Sequence, residues 1–140
     1  MKRWLIFLFM IVGFTGILWG ESCSVKLTIS NITVEKGTLY ISVYNSKESF
    51  KKKDFFVLKK ILATAETQNI TIEVPYGEYV FSLFQDENSN GKLDTKIFGI
   101  PKEKVGISNY NGKGIPGGFD SLKLAINTPF VTIPIKLTEI

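Results

Sequence analysis

The 140-residue chain contains no histidine and a single cysteine, Cys23. The first absence removes Ser-His-Asp and Cys-His catalytic arrangements and the usual zinc sites, all of which need imidazole. The second removes any internal disulfide, so the domain must be held by its core, with any bound ion adding to that. No glycine-rich phosphate loop runs from a strand into a helix, and no segment keeps a helical apolar period. Paired carboxylates can hydrolyse glycosides, but Asp86 and Asp94 are the only obvious pair, and shared use as ion ligands explains them better. The expectation is therefore a protein that is not an enzyme.

Charge of one sign is also scarce. The formal net charge is +4. Without Lys2 and Arg3 it falls to about +2 to +3, too little to argue for nucleic acid. Lys51, Lys52, Lys53, Lys59 and Lys60 form the one basic patch, read as a solvated loop.

Lys2 and Arg3 precede an uncharged run, Trp4 to Trp19, closed by Gly20, Glu21 and Ser22. A basic start, an apolar middle and small residues near a cleavage point are the layout of an export signal, assigned to residues 1–22. The protein is thus expected in the periplasm, cell envelope or extracellular space, touching membrane only through this segment. An uncleaved anchor is the alternative, since the run is slightly short of a comfortable bilayer span. Cys23 suggests a lipoprotein cleavage site, which Glu21 fits poorly; otherwise it is a free or intermolecularly paired thiol.

The remainder, residues 24–140, suits one domain. Val25, Leu27 and Ile29 alternate with Lys26, Thr28 and Ser30, and Leu39, Ile41 and Val43 alternate between Thr38 and Tyr44. Gln68–Val74, Tyr79–Phe84, Phe119–Ile126 and Phe130–Leu137 are further strand candidates. The Asn45–Lys60 stretch reads as a loop with a brief helix or strand. The expected fold is a single all-β sandwich of Greek-key type.

The strand ending at Phe84 runs into QDENSNGKLD. With Asp86 as position 1 of a calcium loop, Asn88 takes position 3, Asn90 position 5, Gly91 position 6, Lys92 position 7 through its carbonyl, Leu93 position 8 and Asp94 position 9. Position 12 is Ile97, so the usual bidentate glutamate is missing. Glu103, reached past Gly99-Ile100-Pro101, is the best replacement and Glu87 the second. The expectation is a weak Ca²⁺ site made by Asp86, Asn88, Asn90, Lys92, Asp94 and Glu103. The structural alternative is a tight turn with no ion, because Asn-Gly and Asx residues build such turns unaided. The long irregular stretch from Ile97 to Gly118 offers Asn109, Tyr110 and Phe119 for a carbohydrate or peptide, the alternative being a loop closed over its own ion site. A cell-envelope protein or a glycan is the expected kind of partner.

The run VPYGEYVFSLFQDENSNGKLDTKIFGIPKEKVGISN resembles the bacterial domain-of-unknown-function family numbered 2141. Gly77, Tyr79, Asp86, Asn88, Asn90, Gly91, Leu93, Asp94, Gly99, Ile100, Pro101, Glu103, Gly106, Ser108 and Asn109 fit its pattern, and LYISVYNSKESF and GGFDSLKLAI fit more loosely. The resemblance implies an exported immunoglobulin-like or transthyretin-like sandwich with no established activity. Gln85 stands where the family often has histidine, and Gly117-Gly118 replace part of a Pro-x-Phe segment.

Overall fold

A computed structural model describes residues 20–140 of the chain. The expected signal core, Trp4 to Trp19, lies outside the described residues. Two sheets face each other across one core. The first has three strands in the order β4-β1-β8: β1 is Ser22–Ser30, β4 is Gln68–Pro75 and β8 is Phe130–Lys136. β1 is antiparallel to β4 and parallel to β8. The second sheet runs β3-β2-β5-β6, with β2 Thr38–Tyr44, β3 Val57–Leu62, β5 Gly77–Asp86 and β6 Val105–Ile107. The short β7, Leu124–Ile126, pairs with the start of β5.

Period-two alternation puts Val25, Leu27, Ile29, Ile72, Val74, Ile133 and Ile135 on the inner face of the first sheet. Leu39, Ile41, Val43, Phe81 and Leu83 meet them from the second, all in one buried cluster. Each such side chain withdrawn from water contributes about 1.5–3 kcal/mol before ordering costs are counted. β3 is an edge strand with exposed Lys59 and Lys60, charges that discourage another strand from pairing there. Pro134 sits on β8, also at an edge, where its missing N–H costs least. Among the described residues the strand partners lie between Ser22 and Thr138.

Three sequence expectations are revised. The first strand begins at Ser22, which pairs with Pro75, two residues before the strand start drawn from the sequence. Cys23 is fully buried in the core, and burial, then the Glu73 charge, pushes its thiol pKa up. A lipid or an intermolecular disulfide on that sulfur would have to prise β1 open. The third revision concerns Phe119–Ile126, which is not one strand. Phe119–Leu122 forms a helical turn, α2, before β7. Phe119 and Leu122, three apart on this turn, both face a second small core with Tyr44 and Val80, and that spacing outweighs the β-prone composition. In the uncertain middle stretch, Ser46 opens the six-residue helix α1, Lys47–Lys52, through a reciprocal capping box with Ser49.

Candidate metal site

β5 is the longest strand, and its pairings position the acidic loop. β2 runs beside it with Thr38 opposite Asp86. Gly37, at φ 68°, packs so closely that a Cβ there would lie 1.8 Å from the Asp86 carbonyl oxygen. On the other side Gln85 N–H donates to the Lys104 carbonyl at 3.0 Å, which brings Glu103 level with Asp86. The register therefore supplies what the missing position-12 carboxylate does not. Gln85 itself is fully buried. Its amide oxygen accepts Thr33 N–H at 2.9 Å, and its nitrogen donates to the Thr33 and Lys36 carbonyls at 2.6 and 2.8 Å. A neutral histidine ring, with one donor and one acceptor, could not satisfy all three partners.

Asp86 is buried and holds the loop from inside. Its Oδ1 accepts Asn90 N–H at 3.1 Å and its Oδ2 accepts Gly91 N–H at 2.8 Å. Gly91, at φ 79°, makes the bend. Asn88 and Asn90 both donate through Nδ2 to Asp94 Oδ2, at 2.6 and 2.7 Å. These amides, Asn88 first, hold the Asp94 carboxyl below the usual range. Glu103 Oε2 accepts Asp94 N–H at 3.0 Å. Its other oxygen, Oε1, is buried and makes no hydrogen bond of good geometry, in a residue only 8% exposed. Burial pushes the Glu103 carboxyl up and the Asp86 and Asp94 charges add to it, while the backbone N–H groups of Asp94 and Glu87 pull it partly back. Glu103, Asp94, Asn88, Glu87 and Glu139 line a polar cavity of about 240 Å³ with Lys102 and Lys104.

Five of the six expected ligand residues are thus drawn together by side-chain hydrogen bonds, by a cavity or by both. The sixth, Lys92, is exposed, and its N–H donates to Asn90 Oδ1 at 3.1 Å. Glu87 lines the same cavity, but its carboxylate is engaged elsewhere, Oε1 accepting from the Thr33 hydroxyl at 2.9 Å and Oε2 lying 3.8 Å from Lys36 Nζ. Among the described residues no three acidic or cysteine side chains gather closely enough to form a metal cluster by themselves. An ion here needs amide and backbone oxygens as well. Asn88 and Asn90 would have to turn their carbonyl oxygens toward Asp94, an arrangement that repels without a cation between them.

The expected ligand surface is not assembled. Phe119 is in the core, and Tyr110 packs against that core with its hydroxyl donating to the Gly114 carbonyl at 2.5 Å. Asn109, at φ 56°, is tied to the Lys123 carbonyl at 3.1 Å. Ser108, matched to the family pattern without a role, has a structural one: its buried hydroxyl accepts Phe81 N–H at 3.1 Å and donates to the Leu122 carbonyl at 2.8 Å.

Fold and site define an all-β protein of two facing sheets with an acidic, self-capped loop at the end of its central strand. The chain belongs to the family described as "Uncharacterized protein conserved in bacteria (DUF2141)", whose model matches residues 27–133. No curated protein and no solved structure matched it.

Proposed function

We propose that the protein is a non-catalytic, exported binding or accessory module of the cell envelope whose loop Asp86–Glu103 takes up Ca²⁺. The observation that carries the ion is Glu103 Oε1, a buried carboxylate oxygen without a hydrogen bond of good geometry beside two further carboxylates. An unpaired buried charge is costly, and a divalent cation in the Asp94 cavity removes that cost. Calcium suits the mixed carboxylate, amide and carbonyl oxygens better than magnesium, which demands a tighter octahedron and keeps its waters. The ion's work is structural: it stiffens the loop from which the irregular Ile97–Gly118 stretch departs. Parallel pairing of the first and last strands supports kinship with immunoglobulin-like or transthyretin-like sandwiches.

A second reading keeps the loop as a tight turn and the protein as a structural envelope spacer. It is favoured by Asp86, whose two oxygens are already taken by backbone amides. Amide NMR of residues 20–140 during calcium titration separates the two. Ion binding moves the Asp86–Asp94 and Glu103 signals together at millimolar calcium or below, while a bare turn leaves them in place. Cell fractionation tests export, and recovery of the protein from the cytosol would contradict it.

A further inference from the structure

Beyond the ion loop, residues 94–102 form a small hairpin finger. Lys102 N–H donates to the Asp94 carbonyl at 2.8 Å, Thr95 bridges Pro101, and Lys96 N–H donates to the Ile100 carbonyl at 2.6 Å. Its tip is apolar and bare: Ile97 is 79% and Phe98 96% exposed. Phe98 is held at φ 65°, a conformation costly for an aromatic residue that gains no packing from it. Beside the finger, the loop through Gly114 presents Ile115, 94% exposed. Phe98 and Ile115 line one apolar cavity of about 290 Å³, so the two tips sit together. The charged residues of 95–102 and 111–118 are Lys96, Lys102 and Lys113, all exposed, with no acid among them.

Large apolar side chains on adjoining tips, with Lys96, Lys102 and Lys113 the charged residues beside them and the one acid of the finger, Asp94, at its base, match a surface whose interior is hydrocarbon and whose face is anionic. We infer that the 94–102 finger and the Ile115 loop form a membrane-docking wedge for a bilayer containing anionic lipid. Ile97, Phe98 and Ile115 enter the headgroup–acyl boundary, and Lys96, Lys102 and Lys113 meet the phosphates. The finger's own hydrogen bonds are made within the chain, so the wedge is tested in EDTA, apart from the proposed ion.

Residues 20–140 contain no tryptophan, both being at Trp4 and Trp19, so in this fragment, first shown to fold alone by a cooperative melt, Phe98→Trp gives a single reporter at an exposed position. The experiment mixes this variant, in EDTA, with vesicles of equimolar phosphatidylglycerol and phosphatidylcholine, and with vesicles of phosphatidylcholine alone. The expected result is a blue-shifted emission with the anionic vesicles and much weaker binding to the neutral ones. Co-sedimentation of the unlabelled domain should weaken at least about ten-fold on Phe98→Ser with Ile115→Ser. Lys96→Gln with Lys102→Gln should remove the anionic preference. No shift with either vesicle overturns the wedge. So does concentration-dependent dimerisation that the double serine variant abolishes without any vesicle binding, which would assign the tips to self-association. Circular dichroism of each variant must match the parent. Failure in calcium titration leaves this result untouched.

Discussion

Replacing Glu103 by glutamine changes one charge and almost no volume, at the atom on which the ion proposal rests. Without calcium the glutamate carries a buried oxygen that makes no hydrogen bond of good geometry, with only the Glu87 N–H nearby, and it faces the Asp86 and Asp94 charges. Leaving such a group unpaired costs about 1–3 kcal/mol. Glutamine still accepts Asp94 N–H and puts a donor where the orphaned oxygen was. In EDTA at neutral pH, Glu103→Gln should therefore stabilise the domain by about 1–2 kcal/mol, raising Tm by roughly 3–8 °C. In millimolar calcium the order reverses, because the wild type gains an ion that the variant holds poorly. The pH dependence carries the same sign. A carboxyl whose folded pKa is raised favours folding while protonated, so its contribution is lost as pH rises from the ordinary glutamate value through the higher folded one. Asp94, held low, works oppositely: its contribution is present above the ordinary aspartate value and lost as pH falls. Melting curves of both proteins in EDTA across this range, subtracted, isolate Glu103. A variant less stable than wild type in EDTA would refute the reasoning, since the charge would then be an asset to the ion-free fold.

Gly37→Ala should cost upwards of about 3 kcal/mol, because a positive φ and a 1.8 Å approach to the Asp86 carbonyl leave no room for a methyl; urea unfolding measures it, and a loss below 1 kcal/mol, on the order of a surface change, would refute the close packing. Gln85→Leu orphans one N–H and loses bonds to two carbonyls, for an expected loss of about 2–4 kcal/mol by the same assay. Ser108→Ala should cost about 1–2 kcal/mol and speed amide exchange at Phe81 and Lys123, since it unties α2 from β5.

Most of the sheet framework was legible from alternation alone. Thr38–Tyr44 ends where the sequence placed it, and Gln68–Val74 is one residue short of the observed strand. Alternation works there because each strand buries one face against the other sheet. It fails at Phe119–Leu122, where two apolar residues three apart read equally as part of a strand. The local spacing of Asp86, Asn88, Asn90 and Asp94 showed a converging loop, and the structure joins them by hydrogen bonds. Glu103 was chosen for its chemistry, but what makes it special, an oxygen buried without a hydrogen bond of good geometry, depends on the β5–β6 register and no sequence pattern encodes it. Phe98 and Ile115 were overlooked because exposure at a loop tip has no periodicity.

The most direct test of the ion claim is thermal melting of residues 20–140 with and without 10 mM calcium, beside Asp94→Asn. Asp94 is preferable to Asp86, whose removal would uncap the loop itself. For a site of the roughly 10⁻⁴–10⁻³ M class, mass action gives about 1.4–2.7 kcal/mol, or roughly 4–10 °C in Tm. The account predicts that rise in the wild type, a much smaller one with magnesium, and its loss in Asp94→Asn. Equal melting in calcium and EDTA, or an equal rise in both proteins, would contradict it.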